Sequence, residues 1–182
     1  MRQVGYVVAA MFGGILCIGP SRAEPNISQA AFSDLLNAHR ASYLQSATDL
    51  QRHDQTASRR DAICALGNAS AKGWQGKVVD VSAGTVDTAG IRMDMGGFGL
   101  WHFPGGVAGL ATIKRGSPMY ATLLQLRPGD VVAIDGSFQP GRADCFHELS
   151  SNDAQSFNRP EFSFEVVSIR KAHDRVSANV TD

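Results

Sequence analysis

The chain reads as mainly β, with a five-stranded Greek-key barrel behind an N-terminal helical segment and one helix between the third and fourth strands. Three observations predict this. Apolar residues recur at three- and four-residue steps up to about Leu66 and shift toward alternation from Trp74 onward. The second half breaks into short runs separated by glycine-rich turns such as Ser82-Ala83-Gly84 and Thr88-Ala89-Gly90. A single short helical pattern, Ser117 to Leu126, interrupts those runs.

Residues 1–23 read as an export signal. Met1-Arg2 gives a positive start, Val4 to Ile18 is an apolar run, and Ser21-Arg22-Ala23 places small residues at −3 and −1 before Glu24. The run of about 15 residues is short for a bilayer-spanning helix, which needs roughly 20. An uncleaved anchor is the rival reading. Cleavage leaves 159 of the 182 residues, which suits one domain with a helical appendage. Arg2 and Arg22 leave with the signal, so fifteen Lys and Arg face seventeen Asp and Glu. That slightly acidic balance argues against a nucleic-acid coat, which needs a basic surface. No later stretch is apolar enough to span a membrane, so the expected compartment is the periplasm or the exterior.

Residues 24–72 form the expected helical lead-in. Ser28 is a capping residue, and Phe32, Leu35, Leu36, His39, Tyr43, Ala47 and Leu50 fall on one helix face. Arg52 to Thr56 reads as a polar break, and Ser58 with Asp61 as a capping box opening a shorter helix through Ile63, Cys64 and Leu66. With Cys17 removed, Cys64 and Cys145 remain. In an oxidising compartment an even count points to a bridge, the alternative being two buried thiols.

The expected barrel occupies residues 73–170, followed by a polar tail at 171–182. Its strands are Trp74 to Val81, Ile91 to Met95, Leu100 to Phe103 with Leu110 to Ile113 beyond, Val131 to Phe138, and Phe162 to Ile169. Ser117-Pro118 opens the helix with proline at its first position, and Pro128-Gly129-Asp130 turns it into the fourth strand.

Three strands, a helix and two strands is the order of an OB-type barrel. The chain resembles OB-fold modules in the turn Leu126-Arg127-Pro128-Gly129-Asp130-Val131-Val132 and in Gly76-Lys77-Val78-Val79. It also resembles small exported bacterial proteins of unassigned function. These share a Trp-x-Gly-x-Val opening, here Trp74 to Val78, and a final Pro-Glu-Phe strand, here Pro160-Glu161-Phe162. The resemblance implies the fold and leaves the ligand open.

The OB fold binds across strands two and three, flanked by loops, and those positions here hold Arg92, Trp101, His102, Lys114 and Arg115. Aromatics beside cations stack on rings, although Trp101 and Phe103 equally suit the core, and Phe103 suits it better. Cys145, His147 and Glu148 are metal-ligating types close in sequence, but a bridged Cys145 cannot ligate and no second ligand pair is spaced to join them. Asp80, Asp94, Asp130 and Asp135 are spread over several strands. No Gly-x-Ser-x-Gly elbow is present, and glycines between Gly96 and Gly109 lack the ending of a phosphate loop.

The expectation is therefore an exported, non-enzymatic binding or accessory protein without cofactor or metal. Its partner would be an envelope or host protein, or a glycan. An exported metal-dependent hydrolase acting on phosphodiesters or cell wall is the alternative. A third possibility is an assembly subunit docking through the Phe32, Leu36 and Tyr43 face.

Overall fold

The computed structural model describes residues 26–67, 69–84, 87–105, 111–141 and 145–172. Residues 1–23, expected to be an export signal, lie outside the described residues, as do the tail beyond 172 and Leu110. Helices α1 (Gln29–Gln45) and α2 (Asp49–Cys64) precede strands β1 (Ser70–Ala83), β2 (Thr88–Asp94), β3 (Gly99–His102) and β4 (Ile113–Lys114). Then follow α3 (Pro118–Leu123), β5 (Val131–Phe138), α4 (Asp153–Asn158) and β6 (Glu161–Lys171).

Five of these strands close on themselves. β1 pairs antiparallel with both β2 and β5, β5 with β6, and β2 with β3, while β3 runs parallel to β6. The circuit β1-β2-β3-β6-β5-β1, with α3 between the third and fourth barrel strands, is the OB-type arrangement. β4 is an extra two-residue strand on the start of β2. β1 can serve two partners because it is long and bulged. Its register shifts between Ala71 and Trp74 against β5 and between Val78 and Asp80 against β2. Gly73 takes the left-handed φ of 67° at the first shift, and its N–H donates to Asp135 at 2.6 Å. The Ser168 hydroxyl donates to the same carboxylate at 2.7 Å, and these two bonds, Ser168 first, hold Asp135 below the usual carboxylate range.

The helix boundary differs from the sequence expectation. α2 begins at Asp49 and runs straight through Arg52–Thr56. Thr48 and Gln51 form a reciprocal capping box: the Gln51 N–H donates to the Thr48 hydroxyl at 3.2 Å, and the Thr48 N–H to Gln51 Oε1 at 3.1 Å. The stretch is polar because no residue in it is buried, His53 and Asp54 being exposed and Arg52, Gln55 and Thr56 partly so, and Ser58 and Asp61 lie within the helix.

One end of the barrel is plugged by α1. The Phe32 ring is wholly buried, with ring centroids of Phe138, Phe98, Phe162 and Trp74 at 4.9, 5.1, 5.5 and 5.7 Å. Leu36 is buried beside it and Tyr43 stacks on Phe157 at 4.0 Å. The α1 face considered as an assembly contact is thus spent on the protein's own interior. Trp74 Nε1 donates to the Ile27 carbonyl at 3.1 Å, tying the chain ahead of α1 to β1.

Two tethers hold α2 to the segment before β6. Cys64, its last residue, stands at disulfide distance from Cys145, with Cα atoms 5.1 Å apart. Closing a loop between residues 81 positions apart stabilises by on the order of 4 kcal/mol in the chain-entropy account. Five residues earlier, Arg59 Nη1 meets Glu148 Oε2 at 2.8 Å, their side chains 7% and 9% exposed. Ser156 donates to Glu148 Oε1 at 2.6 Å, and the guanidinium lies over Phe157 and Phe162 at 5.4 and 5.9 Å.

Candidate functional site

Alternation along β2 and β3 decides which predicted residues reach the barrel surface. Ile91 and Met93 point inward, so Arg92 and Asp94 point outward, and Arg92 pairs in register with Trp101. Trp101 is half-buried on this outer face. Its ring stacks on Phe103 at 4.1 Å with 25° between the planes, and the Arg92 guanidinium lies over it at 5.8 Å. Phe103 is therefore a surface partner of Trp101 and not the core residue that the sequence favours.

The position of Arg92 is set from a third strand. Glu161, at the start of β6, ion-pairs with the Arg92 guanidinium, the two side chains 14% and 42% exposed. β3 lies between them, and the residue beside Glu161 there is Gly99. A Cβ on Gly99 would stand 3.0 Å from Glu161 Cγ, so the bare glycine leaves the path over which Glu161 reaches Arg92. Gly99 is also in register with Asp94, whose carboxylate accepts from Arg159 at 2.9 Å. The face thus carries the aromatic pair Trp101 and Phe103 beside two ion pairs, Arg92–Glu161 and Arg159–Asp94.

The other predicted residues go elsewhere. His102 follows Trp101 and so points into the barrel, where it is 1% exposed. The Val166 N–H donates to its Nδ1 at 3.3 Å, and burial lowers its pKa, so the ring is neutral. Lys114 sits on β4 opposite Thr88, four residues from Arg92 and about 13 Å away along β2. Arg115 pairs with Asp87 at 3.3 Å. The structure brings Arg92 and Trp101 together and leaves His102, Lys114 and Arg115 apart from them.

The carboxylates are engaged separately. Asp130 accepts from Lys171 at 2.8 Å and from the Arg127 N–H at 2.9 Å, Asp135 braces the β1 bulge, and Asp94 holds Arg159. Among the described residues no group of three or more His, Cys, Asp or Glu side chains is placed to hold a metal ion. No helix among them is long and apolar enough to cross a membrane. An apolar cavity of about 500 Å³ lies where Ile113, Pro118 and Met119 meet Val166 and Ile169, and none of the Arg92 group lines it.

Sequence reasoning missed Glu161, Gly99, Asp94 and Arg159 as members of this face. The available signal was the strand order: in an OB barrel the last strand starts alongside the third, which puts the Pro160-Glu161 opening next to Gly99. Glu148, one of the metal-ligating types beside Cys145, is a buried partner of Arg59. No protein-family model matches the chain, and no curated protein matches it in sequence.

Proposed function

We propose that this protein is an exported, non-enzymatic OB-barrel binding module that recognises an envelope or host protein, or a glycan, on its outer β2–β3 face. The observation carrying this reading is the cluster of Arg92, Trp101 and Phe103, which converges on the face that OB barrels commonly use for ligands. An aromatic pair beside an arginine has the residue types that concentrate binding energy at recognition surfaces. Export is supported by the tripartite pattern of residues 1–23 and by the Cys64–Cys145 pair, which suits an oxidising compartment. The resemblance to small exported bacterial proteins, carried by Trp74 to Val78 and Pro160 to Phe162, agrees with this assignment.

The test is in-cell photo-crosslinking from position 101 in the tagged full-length chain, with position 124 on the exposed end of α3 as control. Capture of one recurrent partner from position 101 only, on a chain whose N-terminus is Glu24, is the expected result. Equal capture from both positions, or an unprocessed cytoplasmic chain with reduced cysteines, would overturn it.

A further inference from the structure

We propose that the β2–β3 face takes an uncharged, hydroxyl-rich ring ligand, a neutral glycan, and that Glu161 is the residue that keeps charged ligands out. This inference rests on the docking face assigned above and names the chemistry it selects.

Trp101 with Phe103 stacked on it, both partly exposed, supplies the apolar element, since the C–H face of a sugar ring packs on the outer side of such an aromatic pair. What surrounds it determines the ligand's charge. Arg92 would attract phosphate, sulfate or carboxylate if it stood alone, but Glu161 crosses over Gly99 and pairs with it. One strand position on, Arg159 is likewise matched by Asp94. The four charges sum to zero: the carboxylates of Asp94 and Glu161 flank Gly99 in register on three strands, and each is matched by its own arginine.

An incoming anion is repelled by the Glu161 carboxylate unless it displaces it, and an ammonium group by the Arg92 guanidinium unless it displaces that. A ligand hydroxyl displaces neither, because it accepts from a guanidinium and donates to a carboxylate at once. Planar donors and acceptors fixed side by side suit neighbouring hydroxyls on a ring. Gly99 adds no side chain between them, and the space above its backbone is taken by the Glu161 side chain on its way to Arg92.

The experiment is a printed array of neutral, sialylated and sulfated glycans, probed with the exported mature protein and with its Trp101→Ala and Glu161→Gln variants. Thermal melting of each variant establishes that it is folded. Retention confined to neutral glycans is expected, weakened about tenfold or more in Trp101→Ala. Glu161→Gln frees Arg92 and is expected to gain at least about fivefold in retention on sulfated glycans. Preference of the unaltered protein for acidic glycans, or no gain in Glu161→Gln, would overturn the proposal. Retention of no glycan with protein capture from position 101 would overturn the glycan and leave the docking face standing. Neither glycan nor capture from position 101 would sink both.

Discussion

Glu161 of β6 reaches over the bare backbone of Gly99 to pair with Arg92 of β2, so three strands of the barrel meet in one ion pair. The relationship is strict in its geometry and modest in energy. Arg92 is 42% exposed, so solvent screening limits the pair to about 1 kcal/mol at most. Gly99→Ala should therefore cost little stability and still change the surface. A methyl 3.0 Å from Glu161 Cγ makes that flexible side chain give by a small amount and moves with it the Arg92 guanidinium over Trp101. A melting temperature lowered by a few degrees at most, with a shifted Trp101 fluorescence maximum, is the expected outcome. An unchanged spectrum would mean that Glu161 does not hold the guanidinium.

The Arg59–Glu148 pair should behave in the opposite way. Both groups are nearly out of water, so removing one leaves the other buried without its counter-charge. Glu148→Ala is expected to cost about 3–5 kcal/mol, and Arg59→Met a similar amount. The double variant should recover part of that loss. Urea denaturation of the two single variants and the double gives the coupling directly, and additive losses would contradict the assignment.

The Cys64–Cys145 bridge predicts a measurable difference between oxidised and reduced protein. Cys64→Ser with Cys145→Ser should lower the unfolding free energy by about 2–5 kcal/mol. Thiol labelling of the unfolded, unreduced protein should find no free cysteine in the mature chain. Two labelled thiols would rule the bridge out.

His102 predicts an acid limb in the stability curve. Burial places its folded-state pKa below the ordinary value of 6.5, so the unfolded chain takes up the proton first. Its contribution is therefore complete above pH 6.5 and is lost as pH falls through that value toward the folded pKa. Glu165 nearby opposes the shift, as does the hydrogen bond at the Phe164 backbone, but desolvation dominates. Melting temperatures between pH 5 and 8 should fall on the acid side, and His102→Leu should flatten that fall by comparison. Parallel curves would locate the acid sensitivity elsewhere.

Phe32 tests whether α1 belongs to the barrel core. Truncation of this fully buried ring to alanine removes contacts with Phe98, Phe138, Phe162 and Trp74 and should cost about 3–5 kcal/mol. Calorimetric melting reads the loss. A cost under about 1 kcal/mol would mean that the hairpin is a loosely held appendage.

Local rules carried much of this in the sequence alone. Proline at the first position of α3, Gly129 in the turn before β5 and the alternation in β6 are decided by neighbours within a few residues, because turns and strand faces obey backbone constraints that each residue type meets or fails on its own. The α1–α2 boundary failed because Thr48 and Gln51 match the capping box as well as Ser58 and Asp61 do, and Arg59 and Ile63, four residues apart, share a face whichever pair opens the helix. The sequence by itself determined the order of the five barrel strands and α3, the glycine-marked turns and the pair of cysteines free to bridge, while α4 went unread in its polar stretch. Tertiary structure alone decided that Phe32 plugs the barrel, that His102 lies inside while Trp101 lies outside, and that Glu161 neutralises Arg92. The last two outcomes depend on strand register and on residues up to 69 positions apart meeting across Gly99: a one-residue change in register would turn His102, Trp101 and Glu161 to the other face, whereas Phe32 is placed by the packing of α1.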